Sequence, residues 1–236
     1  MIDIPLEERV IVALDVPTLD EARAVVEELD GVLSFFKIGL QLQVVGGTEL
    51  VRWLVDAGKR VFLDYKYHDV ETTVREGVRR VTELGVSLLT VHGYRHVMEA
   101  AVEGRGDGEL KIMAVTVLTS LSEADVREMG IQLSVADLVR SRAERAVEAG
   151  CDGVIASGQE AAAIRSLAPR DFLIVTPGIR PAGSERNEQQ RAVTPKYAIV
   201  AGADYLVVGR PILRADDRAC AARKIVAEVA AALDVL

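Results

Sequence analysis

Aliphatic residues along the 236-residue chain gather in short continuous runs rather than in an alternating pattern. Eight such runs recur: Val10–Leu14, Phe35–Ile38, Arg60–Leu63, Leu88–Val91, Ile112–Leu118, Gly153–Ala156, Phe172–Thr176 and Tyr205–Val208. Short unbroken apolar runs suit strands buried on both faces, the habit of parallel sheets. Between most of them lie stretches with helical spacing. Thr18–Leu29 opens on a Thr18/Glu21 capping box, and Ser157 with Glu160 forms a second pair of the same kind. Thr194-Pro195 reads as an N-cap followed by proline at the first helical position. Ser134–Ala149 is amphipathic and stops at Gly150, a C-cap glycine, while an alanine-rich helix from about Asp216 to Leu233 closes the chain.

Eight buried strands alternating with helices, without a linker, predict a single (β/α)8 barrel spanning residues 1–236. A doubly wound open sheet is the alternative, but no G-x-G-x-x-G fingerprint follows the first strand. One connection stands apart: Ile179 to Val193 is polar, charged and free of apolar pattern. Loops that long in a compact domain are usually functional or disordered. Rising from the catalytic face after the seventh strand, residues 179–193 are expected to form a lid.

Composition narrows the function classes. Half the residues are hydrophobic and 27% are charged, as in ordinary globular proteins. A net charge of −8 without a basic run argues against a general nucleic-acid surface, yet leaves room for an anionic small ligand. Cys151 and Cys220 fit no metal spacing and are expected to pack as small hydrophobes in a reducing compartment. The first fifteen residues lack the basic and apolar regions of a signal peptide, and no apolar run approaches membrane-spanning length. Cytoplasmic residence is the expectation.

The chemistry collects at strand ends, where a barrel builds its site. In Val61–Thr73, VFLDYKYHDVETT, Asp64 and Lys66 share one strand face, while Leu63 and Tyr65 point the other way. A carboxylate and an ammonium at a buried strand's exit are costly to desolvate unless they hold each other. Asp69 follows His68, where the chain turns into a helix; by itself it reads equally as a helix N-cap. The triplet is either a surface ion-pair cluster or a site. Asp15 ends the first strand, Lys37 lies late in the second, Thr119 and Ser120 follow the fifth, and Arg180 follows the seventh. Gly209-Arg210-Pro211 follows the eighth, where close backbone approach, free N–H groups and a guanidinium suit a phosphate. A tight structural turn with a surface arginine is the alternative there.

These motifs resemble those of the orotidine 5'-phosphate decarboxylase family in its bacterial form. FLDYKYHDVETTV is similar to the family's D-x-K-x-x-D signature, and ALDVPT, FFKIG, VTVLTS, TPGIRP with a downstream glutamine, and VVGRPI match in order from about Arg9 to Arg214. The resemblance implies a (β/α)8 barrel acting as a homodimer. It implies that Asp64, Lys66 and Asp69 are the catalytic group with Lys66 as proton donor, and that Asp69 and Thr73 reach the neighbouring subunit's site. It further implies that Asp15 and Lys37 hold the ribose hydroxyls, that Thr119 reads the pyrimidine edge, and that Gln189 bridges phosphate and base. Gly209 and Arg210 would clamp the phosphate, with Arg180 in the same binding set.

Two departures stand out. Glu71 replaces the family's usual proline, at a helix N-terminus where a carboxylate is favourable. His92-Gly-Tyr-Arg-His96 replaces a small-residue stretch; His92 and His96 have the spacing of a metal pair, but no third ligand is evident and the family uses no metal, so they, and His68, are read as structural. The implied reaction is conversion of orotidylate to uridylate and carbon dioxide without metal or organic cofactor, in pyrimidine biosynthesis. Two alternatives remain: a magnesium-dependent sugar-phosphate decarboxylase or aldolase of the same barrel superfamily, and a non-catalytic nucleotide-phosphate-binding barrel. Against the first, Lys37 stands where those enzymes carry an acidic metal ligand, and a protonated lysine cannot ligate magnesium.

Overall fold

The structure is a computed structural model describing residues 3–181 and 191–236. Eight parallel strands close on themselves in sequence order, β1 pairing with both β2 and β8. The first half runs β1 (Val10–Ala13), α1 (Leu19–Glu28), β2 (Phe35–Ile38), α2 (Leu40–Val44), α3 (Gly47–Asp56), β3 (Arg60–Tyr67), α4 (Glu71–Thr82), β4 (Leu88–His92) and α5 (Arg95–Arg105). The second runs β5 (Lys111–Val115), α6 (Glu123–Glu128), α7 (Val135–Glu148), β6 (Gly153–Ile155), α8 (Ala161–Leu167), β7 (Leu173–Thr176), α9 (Pro195–Val200), β8 (Tyr205–Val208), α10 (Arg210–Leu213) and α11 (Arg218–Leu233). The predicted barrel is the observed one.

Alternate positions along each strand divide the core in two. Ile11, Ala13, Phe35, Phe62, Leu88, Met113, Val175 and Val207 fill the interior, while Val10, Val12, Phe36, Ile38, Val61, Leu63, Leu89 and Val91 pack outward against the helices. Both faces are apolar, which is why the strands read as continuous runs. β6 opens on Gly153 because a Cβ there would collide with the Leu173 carbonyl of β7 and the Met113 methyl of β5. Arg60, over the Phe35 ring and paired with Glu8, helps close the N-terminal end.

The expected boundaries of β3 and β5 shift most, and one expected cap does not form. β3 continues four residues past Leu63, since Asp64 and Lys66 pair with each other while Tyr65 and Tyr67 pack against the outer core. β5 stops at Val115 rather than Leu118: the Thr116 hydroxyl donates to the Ile155 carbonyl at 2.8 Å, Arg142 takes the Thr116 carbonyl, and the chain leaves the ladder. The Ser157/Glu160 pair is not a capping box, because Ser157 Oγ donates instead to the Arg191 carbonyl at 2.9 Å and Glu160 pairs with the Arg191 side chain. The caps at Thr18, Ser134 and Thr194 form, and Gly150 takes a φ of +77° past the end of α7. Cys151 is buried with its thiol pushed up to about 12, by desolvation first and Asp152 second, whereas Cys220 on α11 is half-buried.

Candidate active site

At their C-terminal ends the strands open onto a cleft of about 650 Å³. The same alternation that turns Ala13, Phe35 and Phe62 inward brings Asp15, Lys37 and Asp64 to its floor one step further along β1, β2 and β3. Lys37 Nζ lies 3.1 Å from Asp15 Oδ1 and 3.6 Å from Asp64 Oδ2. Lys66 Nζ donates to the other oxygen of Asp64 at 2.7 Å. Each Asp64 oxygen therefore faces its own ammonium. Gly39 makes room for this, since a Cβ there would sit 3.1 Å from Lys37 Nζ.

Burial pushes the Asp64 carboxyl up, but Lys37, Lys66 and the hydrogen bonds from Lys66 and Thr90 outweigh it and hold the group below the ordinary carboxylate value. Asp64 is thus an anion at neutral pH, and the cluster is an alternating chain of two carboxylates and two ammonium groups. Thr90, absent from the expected set, is fully buried beside it. Its signal is one hydroxyl at an inward position of the aliphatic run Leu88–Val91.

The same cleft is lined by Thr119 and Ser120 from the β5–α6 connection, Arg180 after β7, and Gly209 with Arg210 at the start of α10, where Gly209 lies next to Asp15. Arg180 N–H donates to the Val193 carbonyl at 2.9 Å and Val193 N–H to the Gly178 carbonyl at 3.3 Å, drawing 178–180 and 193 together. Gln189 and most of the expected lid lie outside the described residues.

Arg191 also stands outside the expected set. Its guanidinium binds Glu160 at 2.7 Å and the carbonyls of Val117 and Leu118 at 3.1 and 2.9 Å, just before Thr119. Both side chains of the pair are 11% exposed. Arg191→Met should destabilise the barrel by about 3–5 kcal/mol by orphaning the Glu160 charge, and adding Glu160→Gln should recover part of that loss. Urea midpoints of the two variants check the order.

Asp69 and Thr73 do not enter this cleft. Asp69 is exposed in a shallow groove with His68, Val70, Glu71, Thr72 and His96, and Thr73 is exposed on the first turn of α4. Nor is Asp69 the N-cap: Val70 is, and the Asp69 carboxylate accepts the Val70 N–H at 2.6 Å. Glu71 is exposed at the start of α4, as its dipole requires. The three histidines gather around Tyr94, whose ring stacks on His68 at 4.8 Å and lies 6.2 Å from both His92 and His96. Burial, then His68, Arg142 and Lys66, lower the pKa of His92.

Residues 8–225 match the model of the orotidine 5'-phosphate decarboxylase / HUMPS family. The chain is 52% identical over 226 residues to an orotidine 5'-phosphate decarboxylase of Nitrobacter winogradskyi, covering 96% of this chain and 94% of that one. It is equally identical over 231 residues to one of Rhodopseudomonas palustris, covering 98% of both. The crystal structure of orotidine 5'-phosphate decarboxylase from Lactobacillus acidophilus superposes with a TM-score of 0.83 at 35% identity, covering 94% of this chain and 99% of that one. With half the sequence shared over nearly the full length of both chains, this chain belongs to the orotidine 5'-phosphate decarboxylase family.

Proposed function

We propose that the chain decarboxylates orotidine 5'-phosphate to uridine 5'-phosphate as a carboxy-lyase, with Lys66 as the group that meets the developing charge. The observation that carries this is the Lys66 ammonium, 2.7 Å from Asp64, lining the same cleft as Arg210. A Lys66 side chain directed away from that cleft would have removed the reading. Breaking the bond from C6 to the carboxylate leaves an electron pair in an sp² orbital with no π sink. A fixed cation beside C6 stabilises that pair, and its proton then closes the valence, leaving carbon dioxide, uridylate and a neutral amine that solvent reprotonates. Asp64 holds the Lys66 Nζ at 2.7 Å and repels the substrate carboxylate.

Arg210, Arg180 and the Gly209 backbone suit the phosphate, Thr119 the pyrimidine edge, and Asp15 with Lys37 the ribose. Gln189 would join phosphate to base. Remote phosphate binding would then order the site around the reacting carbon. Asp69 and Thr73 would act in a neighbouring subunit. Support comes from their position outside their own cleft and from the exposed Leu40, Val44, Val70 and Tyr94, which follow three consecutive strands, β2 to β4, around one rim. Among the described residues no helix is long and apolar enough to cross a membrane, which accords with a cytoplasmic enzyme of pyrimidine biosynthesis.

The magnesium-dependent alternative would need a cation between Asp15 and Asp64, and the Lys37 ammonium already holds that position. Purified protein mixed with orotidylate in excess EDTA should therefore lose none of its rate of ultraviolet absorbance change. Abolition by EDTA, restored by magnesium, would favour the aldolase-like reading; uridylate binding without orotidylate consumption would favour the non-catalytic one.

A further inference from the structure

The ladder between β3 and β4 is interrupted at one place. Leu63 pairs with Leu89 and the next pair is Tyr67 with Val91, so Asp64, Tyr65 and Lys66 together face the single residue Thr90. Within that bulge Lys66 takes a φ of +49°, the only non-glycine residue with positive φ among the described residues. For an L-residue this conformation costs about 1–2 kcal/mol and persists only where its surroundings impose it. Lys66 N–H has no strand partner there. It donates to Thr90 Oγ1 at 3.0 Å. The hydroxyl in turn lies 3.0 Å from Asp64 Oδ1, closer than its other acceptor, the Leu63 carbonyl at 3.4 Å. That same Oδ1 receives Lys66 Nζ. A closed ring results, from Lys66 N–H through the Thr90 hydroxyl to Asp64 and back to the Lys66 ammonium, with Thr90 fully buried.

We infer that Thr90 is a positioning residue for the decarboxylation: its hydroxyl holds Lys66 in the left-handed backbone conformation and orients Asp64 to receive the ammonium. The inference rests on the role proposed for Lys66. The bulge would project Lys66 elsewhere if its N–H sought another acceptor, and a rotated Asp64 would no longer face both lysines. A buried threonine that merely filled space would be replaced by isosteric valine at little kinetic cost. A hydroxyl that sets the reacting lysine would not, because a misplacement near 1 Å can cost on the order of 100-fold in rate.

The test is steady-state turnover of orotidylate by Thr90→Val and Thr90→Ser, beside uridylate affinity and melting temperature. Thr90→Val is expected to lower kcat about 10- to 100-fold while KM and uridylate affinity move less than about 3-fold, and Thr90→Ser to restore kcat to within about 3-fold of the parent. Should the valine variant not fold, Thr90→Cys makes the same comparison, since a thiol fills the site with a much weaker donor and acceptor. A valine or cysteine variant with parental kcat, or a serine variant as impaired as valine, overturns the inference while leaving the decarboxylase reading intact. A parent protein that does not consume orotidylate overturns both.

Discussion

Lys66→Ala should leave a folded barrel that still binds uridylate and turns orotidylate over at least about 10⁴-fold more slowly. The magnitude combines two losses: a fixed charge aimed at the developing carbanion, roughly 10²–10³ by analogy with a single oxyanion donor, and a positioned proton donor, roughly 10²–10⁴. Folding should survive for local reasons. Asp64 keeps the Lys37 ammonium at 3.6 Å and the Thr90 hydroxyl at 3.0 Å, so its charge is not orphaned. Alanine at a φ of +49° bears the same backbone cost that lysine already bears. Arg210, Arg180 and Thr119, which line the cleft from the loops after other strands, are untouched, so product affinity should change little. Absorbance assays of turnover, with calorimetry of uridylate binding, read the two quantities separately. Turnover within 10-fold of the parent would remove Lys66 from the role, and equal losses in turnover and uridylate affinity would recast it as a binding residue.

What the chain's pattern discloses about this site, and what it hides, follows from how each residue gets there. Asp15, Lys37 and Asp64 extend a two-residue alternation that begins in the barrel interior, so a regular strand suffices to bring them together. Lys66 obeys that alternation only in outcome. Its pairing with Asp64 was foreseeable, but the bulge and the left-handed φ that produce it depend on Thr90, 24 residues away and unmarked by any local motif. Ser157 and Glu160 fail in the opposite sense. Their spacing satisfies a capping rule, yet Arg191 recruits both for a longer-range contact, and α8 starts at Ala161 with no side-chain cap. Tertiary partners outbid local propensity wherever a buried charge has to be matched. Asp69 is hidden for another reason: in its own chain it has only a surface position outside the cleft, and the role proposed for it requires a second copy.

That requirement gives the other large expected effect. Lys66→Ala and Asp69→Ala homodimers should each be nearly inactive, and mixing them under conditions of subunit exchange should restore activity. If each site draws Lys66 from one subunit and Asp69 from the other, a heterodimer of the two variants carries both lesions in one site and neither in the other. Random exchange makes half the dimers mixed, so about a quarter of the parental activity per site should return, as the two-fold symmetry of such a dimer demands. Loss of one charged group at the reacting centre costs roughly 10²–10³ in rate, so the recovered quarter would stand well above either variant alone. The position of Asp69 favours this outcome: among the described residues its carboxylate engages only the adjacent Val70 N–H, in a surface groove separate from the cleft that holds Lys66. Were Asp69 to act within its own chain, every site in the mixed dimer would keep one lesion and activity would stay at the level of the separate variants. Titrating one variant against a fixed amount of the other, with the rate followed to its plateau, distinguishes a shared site from a self-contained one.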